Sequence, residues 1–259
     1  MAGNTFGTLF RLTTFGESHG HAIGGIVDGC PAGLALDSEA VQSELDRRRP
    51  GQSHLTTPRK ERDTVEWLSG VYEGVTTGAP IGFMLRNEDT KSGDYDHLKS
   101  AFRPSHADFT YTAKYGHRDH RGGGRSSARE TACRVAAGAI ARQLLATVGM
   151  EVSAYVERVG ETAVPFAPSY FDRAAIDASP TRCPDLATAA SMAATIEAVR
   201  KEGDTVGGAI ALVGRGIPAG LGEPVFDKFQ AVLAHALWSL PAVKSMEIGS
   251  GLHGTTMRG

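Results

Sequence analysis

Residues 22–41 read AIGGIVDGCPAGLALDSEAV, and residues 207–226 read GGAIALVGRGIPAGLGEPVF. In each stretch an apolar run typical of a buried strand precedes Pro-Ala-Gly-Leu, and a helix pattern follows. The two turns are Pro31–Leu34 and Pro218–Leu221. Two copies of a strand–turn–helix unit predict a duplicated core. Chance similarity between two short turns is the alternative.

Outside these stretches, hydrophobic periodicity and turn residues predict further elements. Residues 65–86 alternate in polarity, which predicts a meander of short strands. Ser127 and Glu130 fit a capping box at the start of a helix over about 128–147. Residues 87–124 are polar and glycine-rich and predict a long loop, of the kind that is usually functional. We also expect helices near 38–49, 186–202 and 227–240, and strands over 151–159, 206–214 and 242–248.

Composition excludes several classes of protein. The 259 residues are 41% hydrophobic with a formal net charge of -2, so no bulk positive field would attract nucleic acid or a membrane surface. Three widely spaced cysteines without a CxxC pattern predict neither a disulfide framework nor a thiolate metal site. The first residues lack a long apolar run, so we expect no signal peptide, no membrane span and a soluble protein of the cytoplasm.

GESHG, residues 16–20, fits the G-x-S-x-G pattern of a serine hydrolase. We reject a nucleophile elbow at Ser18, because the few upstream residues cannot supply the strands and oxyanion loop that it needs. Glycines on both sides let the backbone approach a ligand closely. Histidine exchanges protons near neutral pH, so His19 is a candidate proton donor, although a lone histidine is more often structural.

Arginine-rich segments predict an anion site. Arg47–Arg49 end a predicted helix, where a cationic cap is the simpler reading, but three arginines exceed what capping needs. Arg103 and His106 lie in FRPSHAD, and GHRDHRGGGRSSARE (116–130) leads into a helix N-terminus, where backbone amides attract anions. No Gly-Lys-Ser/Thr follows, so this is not a Walker P-loop. The spacing of the nearby histidines does not favour a metal site.

Five segments together resemble the chorismate synthase family: GESHG, RRRPGQ, FRPSHADFTY, RGGGRSSARETA and IPAGLGEPVFDK. The resemblance extends from Asn4 to Gly259. It implies an α+β fold, with helices sandwiched between mainly antiparallel sheets, and a homotetramer of single-domain chains over residues 1–259. It also implies a lyase that removes phosphate from 5-enolpyruvylshikimate 3-phosphate by 1,4-anti elimination, gives chorismate for aromatic amino acid biosynthesis and needs reduced FMN.

The same resemblance assigns roles to individual residues. His19 would protonate the departing phosphate, and Ser18 and Ser127 would relay protons. His106 would face the flavin. Arg48, Arg103 and Arg125 would bind the anionic groups of the substrate. The residues expected at FMN are His106, Arg125, Ser126, Ser127, Pro241 and Ala242.

The sequence departs from the family pattern in two places. His54 stands where relatives have an arginine, which would make phosphate binding more dependent on pH. The family continues well past the equivalent of Gly259, and a chain without that part would bind FMN weakly and would not turn over. A truncated anion-binding pseudo-enzyme is therefore the main rival, and a serine hydrolase the second. With no sign of a reductase domain, we expect reduced FMN from outside rather than from NADPH oxidation by this protein.

Overall fold

The computed structural model describes residues 3–52, 55, 61–88, 92–166 and 172–259. The chain divides into two compact units. Unit 1 comprises Met1–Leu45, Asp63–Ala137 and Pro218–Gly259. Unit 2 comprises Asp46–Arg62 and Gly138–Ile217.

An antiparallel sheet organises unit 1. The strands are β1 (Thr5–Phe6), β2 (Arg11–Gly16), β3 (Ala22–Asp28), β4 (Val65–Trp67), β5 (Val71–Tyr72), β6 (Val75–Thr76) and β7 (Ile81–Arg86). Five of them form a sheet in the order β1-β2-β3-β7-β4, while β5 and β6 form a separate hairpin. Ile81, Phe83 and Leu85 are fully buried, as alternation along one face of β7 requires. The short strands predicted for residues 65–86 are confirmed, but their predicted meander is wrong, because β4 pairs with β7 while β5 and β6 form their own hairpin.

Helices lie along the rest of the described chain. They are α1 (Ser38–Arg48), α2 (Asp108–Tyr115), α3 (Thr131–Ala146), α4 (Arg173–Asp177), α5 (Leu186–Lys201) and α6 (Phe229–Trp238). Helix α1 starts where the Asp37 side chain accepts a hydrogen bond from the Ala40 amide (3.0 Å), and it buries Val41 and Leu45 on one face. Short 3-10 helices cover Ser92–Leu98, Gly124–Ser126, Ala128–Glu130 and Gly251–Thr256.

Unit 2 has its own sheet and core. The strands β8 (Glu151–Val159), β9 (Thr162–Ala163) and β10 (Gly208–Arg215) pair antiparallel in the order β10-β8-β9. Helix α5 contacts β8 and β9, and Met192 on that helix is fully buried with Tyr155 and Ile176. Burial of these side chains stabilises unit 2 through the hydrophobic effect.

The two Pro-Ala-Gly-Leu turns share a left-handed glycine. Gly33 has φ 87° and Gly220 has φ 95°, a left-handed conformation that favours glycine. The first turn lies between β3 and α1, and the second lies between β10 and α6. The predicted strand–turn–helix order is thus present twice. Duplication of the core, the sandwich of helices and the single domain over 1–259 stay predictions.

Two further predictions about elements were wrong. The long loop expected over 87–124 contains a 3-10 helix and α2, and α2 ends at Gly116, a left-handed C-cap whose amide bonds to the Thr112 carbonyl (2.8 Å). Residues 242–248 do not form a strand, since an extended segment becomes a strand only with a partner, and none pairs with it among the described residues. The α+β class with antiparallel sheets is confirmed.

Candidate functional site

Ser18 and His19 lie in a tight turn between β2 and β3. The Gly20 amide donates to the Glu17 carbonyl (3.0 Å) and closes the turn. Ser18 is 1% exposed and His19 is 7% exposed, and the Ser18 Oγ lies 3.1 Å from the His19 Nδ1. Because antiparallel strands flank GESHG on both sides, it is not the strand–turn–helix elbow of a serine hydrolase.

The glycine run before Arg125 lies directly against this turn. The Gly123 amide donates to the Ser18 Oγ (3.3 Å), and the Ser18 amide donates to the Gly124 carbonyl (3.4 Å). A Cβ on Gly122 would lie 2.1 Å from the His19 Nδ1 and 2.9 Å from the Ser18 Oγ. Close approach of the two segments therefore requires glycine at position 122.

Arg103 and His106 converge on one carboxylate. The Arg103 Nε and Nη2 donate to the two Asp108 carboxylate oxygens at 2.8 and 2.9 Å, a bidentate pair. The His106 Nδ1 lies 3.0 Å from the Asp108 Oδ1. Arg103 Nη2 also donates to the Gly122 carbonyl (2.7 Å), and this bond joins the pair to the segment that covers His19.

Charge in this group is fixed by the Arg103–Asp108 pair. The hydrogen bond from Arg103 holds the pKa of the Asp108 carboxyl well below its usual range, and the positive field of His106 acts in the same direction. The bond to Asp108 raises the pKa of the Arg103 guanidinium. Both groups therefore stay ionised across the physiological range.

Arg125 binds uncharged oxygens of the strand before the turn. Its Nη2 donates to the Asn4 side chain (3.1 Å), the Thr14 carbonyl (3.1 Å) and the Thr14 hydroxyl (2.8 Å), and its Nη1 donates to the Gly16 carbonyl (3.3 Å). None of these four acceptors carries a formal charge. These contacts therefore do not neutralise the positive charge of the guanidinium. That charge would attract an anionic ligand.

A line of hydrogen bonds continues from Thr14 to the end of α6. The Thr14 hydroxyl donates to Glu130 (2.8 Å), which also accepts from Arg134 (2.8 Å). Arg134 then donates to the Ser239 hydroxyl (2.5 Å). The turn with Pro241–Ala242, where we predict contacts with flavin, begins two residues after this serine, and both of its residues are exposed.

Ser126 and Ser127 hold the start of α3. The Ser126 hydroxyl donates to the Gly123 carbonyl (2.7 Å), and the Ser127 hydroxyl accepts from the Arg129 amide (3.2 Å). Ser127 is the N-cap of the 3-10 turn that leads into the helix. The second half of the predicted capping box is wrong, because the Glu130 carboxylate instead binds the threonine of β2 and an arginine one turn further on.

A cavity of about 330 Å³ adjoins these residues within unit 1. Its walls include the backbone of the glycine run and side chains of both charge signs. The side chains include Glu17, Asp108, Tyr111, Arg118, Arg125 and Ser126. The guanidinium and hydroxyl groups of this lining can bind a phosphate-bearing molecule, since two of its three carboxylates, Asp108 and Asp119, are already paired with arginines.

Two residues that the sequence did not indicate support the turn, Asn87 directly and Asp63 through an arginine. Asn87 donates through Nδ2 to the carbonyls of Glu17 (3.0 Å) and Gly20 (2.8 Å). The Arg129 Nε donates to the Asn87 Oδ1 (2.8 Å), and Arg129 also forms a buried ion pair with Asp63. The position of Asn87 directly after an apolar strand is the one available signal, and it is a weak one.

Tyr95 is a third residue that the sequence did not indicate. Its ring packs against the His19 imidazole in a T-shaped contact, with the ring centroids 4.8 Å apart and the planes at 71°. The 3-10 helix within the segment predicted as a loop brings the tyrosine to this position. This contact restricts the rotation of the imidazole.

The remaining predicted site residues stay predictions. Arg48 is the last residue of α1 and belongs to unit 2, where its neighbour Arg47 donates to Asp177 (2.7 Å). His54 lies outside the described residues. In the described ranges there is no group of three or more side chains suited to a metal ion, and no helix is long and apolar enough to cross a membrane.

Comparison with known proteins gives a consistent result. A family model described as chorismate synthase matches residues 10–259. A chorismate synthase from Christiangramia forsetii is 58% identical over 259 residues, which are 100% of this chain and 73% of that protein. One from Thermosynechococcus vestitus is 56% identical over 258 residues, 99% and 71% of the two chains. A crystal structure of chorismate synthase aligns with a TM-score of 0.80 and 30% sequence identity. The alignment covers 97% of this chain and 71% of that chain.

Proposed function

The chain belongs to the chorismate synthase family, and from this premise we propose that it eliminates phosphate from 5-enolpyruvylshikimate 3-phosphate to give chorismate. The observation that carries the proposal is the meeting of two segments at Gly122. That residue touches the Ser18–His19 pair on one side and accepts from Arg103 on the other. A proton donor and a cationic group are therefore close together, as removal of a phosphate requires.

We assign the proton for the departing phosphate to His19. A less negative phosphate is a better leaving group, and general acid catalysis contributes typically about 10²–10⁴-fold to a rate. Ser18 lies at hydrogen-bond distance from the imidazole and orients it. Burial of both side chains keeps bulk water away from this proton.

Arginines account for the charge of the substrate, which has one phosphate and two carboxylates. Arg103 stays ionised in its bidentate pair with Asp108, so a substrate anion would share this guanidinium with that carboxylate. Arg125 makes its four bonds with uncharged oxygens, and an anion would be the stronger acceptor. The family resemblance assigns Arg48 and His54 to the same anionic groups, and these two roles rest on that resemblance alone.

Reduced FMN is the proposed cofactor, and the residues present fit it. The hydroxyls of Ser126 and Ser127, the Arg125 guanidinium and the adjoining cavity suit the ribityl and phosphate parts of a flavin. When bound, the reduced flavin supplies electron density that assists cleavage of the carbon–oxygen bond. The Pro241–Ala242 turn and His106 are the residues that would hold the flavin ring.

We further propose a homotetramer in the cytoplasm. The three cysteines all lie in the described part of the chain, and each is buried as a thiol, which suits a reducing compartment. Reduced flavin would come from an external source in this scheme.

The test is an anaerobic assay of chorismate formation by the complete protein with chemically reduced FMN. We expect turnover in the wild type and a fall of about 10²–10⁴-fold in His19→Ala, with a substantial fall in His106→Ala. His253→Ala, at an exposed histidine of the C-terminal 3-10 helix, is the control and should keep the wild-type rate. Near-wild-type rates in both site variants would refute these roles. Tight binding of substrate without turnover by the wild type would favour the pseudo-enzyme.

A further inference from the structure

We propose that Asn87 is a positioning residue that fixes the Ser18–His19 pair, an inference that rests on the proposed function. Asn87 follows the last residue of β7, and its backbone amide continues the ladder by donating to the His21 carbonyl (3.1 Å). Its side chain therefore lies beneath the turn that connects β2 and β3. It comes from a different part of the sequence than the turn, 67 to 70 residues away.

One amide nitrogen joins both ends of that turn. The Nδ2 of Asn87 donates one hydrogen to the Glu17 carbonyl (3.0 Å) and the other to the Gly20 carbonyl (2.8 Å). The two residues that it joins stand on either side of Ser18 and His19. The turn has only one internal backbone bond of its own in the described contacts, from the Gly20 amide to the Glu17 carbonyl. The Asn87 amide therefore fixes the span in which the proposed proton donor stands.

The orientation of the amide is set by a buried cation. The oxygen and nitrogen of an asparagine side chain are distinguished by their hydrogen-bond partners. Arg129 can only donate, and its Nε lies 2.8 Å from the Asn87 Oδ1, so the nitrogen must face the turn. Arg129 is itself held by the Asp63 ion pair and by the Arg86 carbonyl (3.2 Å).

Two substitutions separate the donor role from the acceptor role. Asn87→Ala removes both. Asn87→Asp keeps an oxygen for Arg129, with added charge, but places the other carboxylate oxygen against the two carbonyls of the turn. If Asn87 served only as an acceptor for the buried arginine, the Asn87→Asp variant would keep the wild-type kcat. If it acts by donating to the turn, the aspartate will fail.

We expect both variants to lower kcat for chorismate formation by about 10–100-fold, the scale of a displacement near 1 Å at a reacting group. The loss should fall on kcat rather than on KM, because the arginines assigned to substrate binding are unchanged. Thr76→Val is the matched control. Thr76 is 2% exposed and bridges the Pro31 carbonyl (2.7 Å) and the Leu34 amide (3.0 Å) in another turn of unit 1. Its kcat should match that of the wild type.

A second readout does not depend on activity. Modification of His19 by diethyl pyrocarbonate, followed by peptide mass spectrometry and normalised to His253, reports how well the turn covers the imidazole. The normalised rate should rise several-fold in both Asn87 variants and stay constant in Thr76→Val. If the wild type makes no chorismate, the proposed function fails, while this readout still tests the positioning.

Wild-type kcat and wild-type His19 modification in Asn87→Asp would overturn the inference. Should Asn87→Ala not fold, the aspartate variant, which retains the contact with Arg129, carries the test. Loss of folding in Asn87→Asp while Thr76→Val folds would also overturn it, because the role assigned to Asn87 is local.

Discussion

Gly122 has no side chain, and the His19 imidazole fills the space where one would stand. The residue also has φ 63°, which disfavours any residue with a Cβ. Replacing Gly122 would therefore introduce both a steric contact with His19 and backbone strain. The effect of strain alone can be measured by replacing a second glycine that has a similar φ and no close neighbours.

We expect Gly122→Ala to reduce chorismate formation by on the order of 100-fold, because the added methyl must displace the His19 ring. Gly74→Ala is the control. Gly74 has a similar φ of 75°, and a Cβ there would meet nothing within 4 Å. Steady-state assays and thermal melts of both variants measure the difference. Equal loss of activity in the two would mean that backbone strain, rather than contact with His19, explains the effect.

Residue types decided which parts of the site could be predicted. Ser18, His19, Arg103 and His106 stand in glycine-, arginine- and histidine-rich segments, and the structure brings all four together around the glycine run. Asn87 could not be predicted, because an asparagine after a strand is common. Its partner Arg129 lies 42 residues further along the chain, a distance at which sequence patterns carry no contact information.

Helix α2 begins with Asp108, the carboxylate that pairs with Arg103. Asp108 is its first residue, where a negative charge favours the helix dipole, and it accepts from the Arg103 backbone amide (3.1 Å) as well as from the side chain. The carboxylate is 5% exposed. Loss of its charge should therefore loosen the start of α2 and the loop that presents His106.

Asp108→Asn should lower the free energy of unfolding at pH 7 by about 2–3 kcal/mol, the scale of hydrogen bonds to charged groups. The folded-state pKa of Asp108 is depressed, so its stabilisation is complete above the unfolded value of about 3.9 and is lost as the pH falls through the folded value. The variant should thus lose less stability than the wild type between about pH 5 and pH 2. Urea unfolding at a series of pH values measures this.

The control for that experiment is Asp96→Asn, which changes a carboxylate with 82% side-chain exposure on the preceding 3-10 helix. Its stability curve should follow that of the wild type. Parallel curves for Asp108→Asn and the wild type would contradict the assignment of charge to this pair.

Hydrophobic periodicity predicted helices that bury an apolar face, and it missed a helix that has no such face. Helix α3 matches its prediction because Ala132, Ala136 and Ile140 form a buried stripe. Helix α2, DFTYTAKY, buries only Asp108, so only Asp108 and Gly116 at its ends could have signalled it. The strand expected over 242–248 failed for a different reason, since pairing is a property of two segments and not of one.

At the scale of the whole molecule, the three cysteines are buried thiols, and each unit contains at least one of them. Cys30 and Cys133 belong to unit 1 and Cys183 to unit 2, and none is more than 3% exposed. Burial raises the pKa of the Cys30 thiol and of the Cys183 thiol, which lowers the fraction of reactive thiolate.

We therefore expect the folded protein to resist thiol reagents at pH 8, and all three cysteines to react in urea. Ellman's reagent gives the stoichiometry, and peptide mass spectrometry gives the position of each modified thiol. Fast reaction of one equivalent in the folded protein would show that a cysteine is accessible, and the mapping would identify the unit that opens.

The family itself could be predicted from the sequence, because five ordered motifs carry it and the comparisons confirm it over residues 10–259. The strand order could not, since it depends on which distant strands pair. β7 inserts between β3 and β4, and that arrangement places Asn87 beneath the turn with His19. The strand order thus determines which residues hold the turn with His19 in place, while the motifs contain the residues proposed to act on the substrate.

The line of hydrogen bonds between Arg125 and Ser239 has a consequence for how ligands at its two ends affect each other. An incoming anion that recruits the guanidinium must draw it from oxygens of β2, and the released threonine hydroxyl then changes its bond to the acid at the start of α3. That acid also orients the arginine that holds the end of α6. On the proposed function, occupancy at one end would thereby alter affinity at the other, so substrate and flavin would bind cooperatively rather than independently.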